Sequence, residues 1–276
     1  MSSIRKTSAF TLVELLTVVA IIAILGAVSV GVVTSGLRQA RKTQEMSAAH
    51  NLLSAYLTSA TSESGDFLPG YDRTVSSVTL PGGTVVSGPA AERYPWRLAP
   101  YLGDNIKGNF IVGDNVGQVD ESDEYAVSCF PAFGINRYFV GGDVSAAGVV
   151  TFPDEVITRM VNSAPVLLFA SAGGAGTDGN GNGTGKAMNG YSIITPPNTT
   201  TAMWSAATWT SKSAPGDYGN IDARYNNKAI CAFLDGSVRM QSIDELRDMT
   251  LWSRSAAQAG NPNYMIPSAP RGGGRL

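Results

Sequence analysis

Between Phe10 and Val33 every side chain is apolar, small or hydroxylated except one, the carboxylate of Glu14. No other feature constrains the fold as much. The stretch from Leu12 to Val33 covers about 33 Å as a helix, enough to cross a hydrocarbon core of about 30 Å. A carboxylate inside such a segment costs on the order of a few kcal/mol unless it snorkels or is paired. The bland reading is a side chain reaching the headgroups near the helix end; the sharper one is a partner. The leader before it, Met1 to Ala9, carries only Arg5 and Lys6 as charged side chains. It is too short to hold the apolar core of an ordinary secretory signal. Arg38, Arg41 and Lys42 follow the segment, so the positive-inside rule is nearly balanced and leaves orientation open.

Beyond Val33 the apolar pattern changes from continuous to periodic. Leu37, Ala40, Ala48, Leu52, Leu53, Tyr56, Leu57 and Ala60 recur at intervals of three and four. Arg38, Arg41, Lys42, Gln44 and Glu45 are assigned to the opposite, polar face. One helix from about Thr11 to Thr61, close to 75 Å long, follows from this pattern. A membrane helix, a break near Ser35-Gly36 and a separate second helix is the alternative. Ser62-Glu63-Ser64-Gly65 is the expected stop, with Gly65 as the left-handed cap.

The remaining chain is long enough to bury a core of its own. Formal net charge is −2, without a long block of one sign, so nothing points to a nucleic-acid surface. The 31 glycines, with Ser, Thr and Asn between short apolar runs, suit a β-rich domain with many loops. A short strand is expected at Val75–Leu80, a short helix over Tyr94–Leu102 and a buried strand within Ala164–Ala170. Ile230–Leu234 and Ser237–Met240 read as a hairpin closed by Asp235-Gly236 in a type I′ turn. Ser242 to Glu245 has capping-box spacing and predicts a helix through Trp252.

The start Phe10-Thr11-Leu12-Val13-Glu14, behind a short basic leader and ahead of the apolar helix, closely resembles type IV prepilins and type II secretion pseudopilins. That resemblance implies cleavage between Ala9 and Phe10 at the cytoplasmic face and N-methylation of Phe10. The family normally has Gly before the cut, so Ala9 implies slower processing. The resemblance also implies a partner for Glu14, the amine of Phe10 on a neighbouring subunit, a pairing that fixes register because a slipped neighbour leaves a buried charge unpaired. The C-terminal half is similar to a pilin-like subgroup named for a His-x9-Asp-Gly signature. The matching residues are Arg224-Tyr225-Asn226-Asn227 through Phe233-Leu234-Asp235-Gly236, with Tyr225 where the histidine stands. Tyr94-Pro95-Trp96 and Phe133-Gly134-Ile135-Asn136 resemble further segments of that group. Taken without the resemblance, Asp235-Gly236 is a turn.

Other candidates are sparse. His50, the single histidine, reads as a solvated helix position, which leaves no Ser-His-Asp triad and no zinc site. Asp178, Asn180, Asn182 and Thr184 offer the oxygen ligands that begin a calcium loop. The twelfth position is Asn189 rather than a bidentate acid, so a plain Gly/Asn loop is favoured unless Asp217 or Asp222 folds in. Cys129 and Cys231 can form a disulfide outside the cytoplasm, worth up to about 4–5 kcal/mol, or remain small core residues.

These readings give an α+β chain, pilin-like, with a long N-terminal helical spine packed on an antiparallel β-rich globular domain. Its parts are a leader at 1–9, a transmembrane or filament-core helix at 10–33, its amphipathic continuation at 34–63, a globular domain at 64–267 and a disordered tail at 268–276. The expected role is a structural subunit, of the minor kind, assembled from the inner membrane into a type II pseudopilus or type IV pilus-like filament. Its domain would lie in the periplasm. Expected partners are the prepilin peptidase, other pilin-like subunits, the inner-membrane assembly platform and membrane lipid, without nucleic acid. No acid–base constellation suggests an enzyme, and no cofactor is expected apart from the calcium candidate. The alternatives are a membrane-tethered envelope enzyme, or a filament-tip adhesin whose surface includes Trp204 and Trp209.

Overall fold

The computed structural model describes residues 11–103, 105–160, 165–177 and 183–267, with the backbone alone at 28–32, 177 and 183–186. Ala9, Phe10, the 268–276 tail and the calcium candidates Asp178, Asn180 and Asn182 lie outside the described residues, as does the side chain of Thr184. Two compact units divide the chain, Met1–Thr43 and Gln44–Leu276.

Helix α1 (Leu12–Ser62) is continuous over 51 residues, so the break near Ser35-Gly36 does not occur. It ends in a Schellman-type turn, the N–H of Gly65 reaching back to the carbonyl of Ala60 at 2.7 Å. The left-handed cap expected at Gly65 is taken by Ser64 (φ 59°), and Gly65 follows at φ 94°. In the first unit the apolar side chains from Leu12 to Leu25 are exposed, from 45% at Val18 to 80% at Leu12. Among the described residues no helix is long and apolar enough to cross a membrane; residues 12–27 of α1 cover about 24 Å.

In the second unit α1 buries Ala48, Ala49, Leu52, Leu53, Tyr56 and Ala60, the stripe that a 3.6-residue period places on one face. Glu45 is in phase with that stripe, three residues before Ala48 and seven before Leu52, and it is wholly buried. Its assignment to the polar face is therefore overturned, and Leu37, expected on the apolar face, is exposed.

Short elements follow α1. The expected strand at Val75–Leu80 is shorter, with β2 (Ser77–Thr79) folding back on β3 (Val85–Ser87). Before them β1 (Tyr71–Asp72) pairs in parallel with β5 (Asp143–Val144). The aromatic Tyr94 segment forms α2 (Tyr94–Leu98), continued by a 3-10 turn to Leu102. Helices α3 (Ile106–Asn109) and α4 (Glu124–Cys129) are capped by the Asn105 and Asp123 side chains.

The central sheet is antiparallel, in the order β10-β9-β6-β4. Its strands are β4 (Phe133–Ile135), β6 (Leu167–Ser171), β9 (Lys228–Phe233) and β10 (Val238–Ser242). Off the sheet, β7 (Gly174–Thr177) and β8 (Gly183–Met188) form a separate hairpin. Strand β9 is covered on both faces, which explains its unbroken apolar run. Ile230 and Ala232 join the cluster that holds the α1 stripe, Tyr94 and Phe169. Ala229, Cys231 and Phe233 join a second cluster with Ile243, Leu246, Met249 and Trp252.

The second cluster includes the chain after β10. Ser242 and Glu245 form the expected capping box, but α5 (Ile243–Leu246) stops after one turn. Asp248 then caps a separate 3-10 turn at Met249–Leu251, and Ser253 caps α6 (Arg254–Ala259). The helix expected through Trp252 is thus divided, because Asp248 and Ser253 bind backbone N–H groups and start new turns.

Of the two readings of the cysteines, the structure has the small core residue and not the disulfide. Cys129 and Cys231 are free and buried, at the end of α4 in one cluster and on the opposite face of β9 in the other. Burial pushes the Cys231 thiol up, so it is inert while the chain is folded. Ellman's reagent should find no rapidly reacting thiol in the native chain and two after denaturation without reductant. A single thiol-free disulfide species on denaturation would refute this arrangement.

Candidate functional site

Residues Thr11-Leu12-Val13-Glu14 have the spacing of a helix-initiating box, and the structure closes it. Glu14 Oε2 accepts from the Thr11 N–H (2.9 Å) and hydroxyl (2.8 Å), while the Glu14 N–H donates to Thr11 Oγ at 3.2 Å. Thr11 is the N-cap and Glu14 the reciprocal N3 carboxylate. The acid therefore has a local task in one chain by itself, stapling the first turn of α1. The Thr-x-x-Glu spacing that signals this is plain in the sequence, and it adds a local task to the snorkelling and partner readings of the acid.

Glu45 is the second acid placed against expectation. Tyr225 donates its hydroxyl to Glu45 Oε1 at 2.7 Å, Arg224 Nη1 lies 3.4 Å from the same oxygen, and Ser171 Oγ is 3.5 Å from Oε2. The backbone N–H of Asp114 also donates to the carboxylate. Arg224 in turn donates to the carbonyls of Asn189 (3.1 Å) and Ala172 and pairs with Asp222 at 3.2 Å. Burial raises the Glu45 carboxyl above its usual range and outweighs the lowering by Arg224 and Tyr225. Burial works against the Arg224 charge, but Glu45 and Asp222 hold it on. Gly113, at φ 62°, sits so close that an added Cβ would overlap the Glu45 carboxylate.

Local backbone chemistry delivers Arg224 and Tyr225 to this acid. Asn226 and Asn227 take φ of 54° and 59°, and Tyr225 and Lys228 exchange both backbone bonds at 3.1 Å. That is a type I′ turn, which Asn tolerates, and it reverses the chain just before β9. The I′ turn expected at Asp235-Gly236 is instead a three-residue loop. Phe233 N–H bonds Ser237 O, only Gly236 has positive φ (88°), and Asp235 Oδ1 accepts from the Ser237 N–H and hydroxyl.

The signature positions are consequently not brought together. Tyr225 precedes β9 and Asp235 follows it, roughly 20 Å away along a strand of this length. Each has its own task, Tyr225 on Glu45 and Asp235 in its turn. His50 is exposed, as expected of a solvated helix position. Trp204, expected at a binding surface, is buried against Trp252 and Tyr218, and Trp209 packs edge-on against Tyr218. Asn189 directs its amide to the Asp114 carbonyl at 2.9 Å. Sequence reasoning also missed Asn136, which is buried and bonds the carbonyls of Leu167 (2.9 Å) and Trp252 (3.2 Å).

Glu45→Ala should destabilise the chain by about 3 kcal/mol, since it removes one of the two carboxylates on a buried guanidinium, leaves the Tyr225 hydroxyl without its acceptor and opens a cavity beside Gly113. Glu45→Gln tests the titration. A raised folded-state carboxyl contributes stability that is complete below the unfolded value of 4.5 and lost as pH rises through the folded value. The advantage of the parent over Glu45→Gln in urea unfolding should therefore shrink as pH rises from 4.5. An advantage that grows with pH would show that Arg224, not desolvation, dominates.

Residues 4–30 match the family model of the prokaryotic N-terminal methylation motif. No curated protein and no solved structure matches the chain significantly. The matched segment contains the Thr11–Glu14 box and all but the last three residues of the apolar run from Leu12 to Val33. The chain thus begins with a type IV prepilin or pseudopilin-like segment, borne on an α+β fold of a long N-terminal helix and a globular unit with an antiparallel sheet.

Proposed function

We propose that the chain is a pilin-like structural subunit, of the minor kind. It is cut by prepilin peptidase before Phe10, held by α1 as a single pass in the inner membrane, and assembled into a type II pseudopilus or type IV pilus-like filament. The observation that carries this reading is the methylation motif at residues 4–30 running into a helix whose apolar side chains are exposed all round. So much contiguous apolar surface needs lipid or neighbouring helices to cover it. The Glu14 carboxylate is already ordered by Thr11, so it can meet a neighbour's amine at small entropic cost.

Intact mass of the extracted chain should show loss of Met1 to Ala9 and gain of one methyl group. Ala9→Gly should be processed faster. An unprocessed chain in cells that cut other prepilins would count against the assignment.

Glu14→Gln separates the two tasks of the acid. Glutamine at N3 still completes a capping box but carries no charge for a neighbouring amine. With single cysteines at the exposed positions Leu37, Gln44, Ser47, His50 and Ser54 and no Cys129 or Cys231, Glu14→Gln and Glu14→Leu should both lose the crosslinked ladder while insertion and cleavage persist. If Glu14→Gln assembles like the parent and Glu14→Leu does not, the acid is a cap and nothing more.

A further inference from the structure

The central sheet is finished at one edge and open at the other. At β4 the Ile135 N–H donates to Ser192 O and the Ile194 N–H donates to Ile135 O, both at 3.1 Å, so a following segment covers that edge. At β10 the bonding phase is fixed from two sides. Phe233 N–H reaches Ser237 O across the hairpin, and Leu234 N–H reaches Val166 O toward β6. With Arg239 opposite Cys231 and Gln241 opposite Ala229, those two residues exchange bonds with β9. The backbone groups of Val238 and Met240 then turn outward, and no described residue bonds them. Ser242 keeps its N–H on Glu245 at 2.6 Å and presents its carbonyl.

Edge strands are normally protected by proline, a bulge, an outward charge or a cover. Strand β10 has neither proline nor bulge. Its one charge, Arg239, lies back over the Phe233 ring with the guanidinium 4.0 Å from the centroid. The sequence Val238-Arg239-Met240-Gln241-Ser242 also suits antiparallel pairing with itself. About a two-fold axis at Met240, the two Met240 residues can exchange both backbone bonds and each Val238 N–H faces a Ser242 carbonyl, while the Ser242 N–H stays on Glu245. Val238 then stands opposite Ser242, Arg239 opposite the neutral amide of Gln241, and Met240 opposite Met240 of the second copy. No charge meets its like.

We propose that β10 is an interaction surface for a second copy of this chain, the two sheets joining edge to edge through antiparallel β10 strands centred on Met240. The contact is isologous and closes on two subunits. It is independent of α1 and of the filament reading.

Sedimentation of the purified full chain in detergent tests it. The parent should dimerise, whereas Met240→Lys and Met240→Glu should each weaken dimerisation at least tenfold by placing like charges face to face. Mixing the two variants should restore a mixed dimer. Should either variant fail to fold, Met240→Cys in a Cys129→Ala, Cys231→Ala background should form a dimer with a short bis-maleimide, and Val149→Cys, exposed elsewhere, should not. A monomeric parent overturns the proposal, as expected if a foreign strand occupies this edge. Dimerisation unaffected by either charge, or no crosslink at position 240, also overturns it by placing association elsewhere, for instance along α1.

Discussion

The ion pair of Glu45 with Arg224 joins α1 to the sheet, and much of the second unit is arranged around it. A buried carboxylate without partners is too costly to keep, so four residues from three parts of the chain supply donors. The β9 approach contributes Arg224 and Tyr225, β6 contributes Ser171, and the turn at Asp114 contributes a backbone N–H. Each donor fixes the position of its own element against the helix. Replacing such a pair with apolar side chains often leaves stability unchanged or raises it. Its value here is in positioning, because a helix face of alanines and leucines could slide by one turn while a carboxylate with four directional partners cannot.

Two acids on one helix show opposite uses of the same group. Glu14 lies at the exposed first turn, where backbone N–H groups are unsatisfied and a carboxylate is favoured by both hydrogen bonding and the helix dipole. Glu45 lies where nothing in the helix itself calls for an acid, and the rest of the fold supplies the reason. The first is explained by three neighbouring residues and the second only by residues from the far end of the chain.

That difference sets what could be read from the sequence. The spine, the buried β6 strand, the β9–β10 hairpin and the Ser242 capping box were legible because period, propensity and cap chemistry act within a few residues. The role of Glu45 was half legible. Its phase with Ala48 and Leu52 was available, but charge was allowed to decide its face. The partners Arg224 and Tyr225 were noticed only as part of a resemblance, since no local pattern ties them to α1. The type I′ turn expected at Asp235-Gly236 lies at Asn226-Asn227 instead, for a related reason. Both dipeptides tolerate positive φ, and the strand register that decides between two- and three-residue loops is set by β6 on the other side of β9. The choice between disulfide and core residue for Cys129 and Cys231 was open in the sequence because which side of the sheet a residue occupies depends on that register too.

The sequence separation of the central ion pair has a consequence for the order of events in biogenesis. Glu45 and Arg224 are 179 residues apart, so the carboxylate lacks this guanidinium until most of the chain has been made. Contacts between such distant residues close large loops and slow folding. The globular unit therefore cannot complete its core as it emerges, and the base of α1 stays incompletely seated until the last fifth of the chain arrives. A chain interrupted before Arg224 would hold an uncompensated acid against an open core and be a ready substrate for proteolysis. A globular unit that holds this ion pair is therefore one whose chain has been made at least through Arg224.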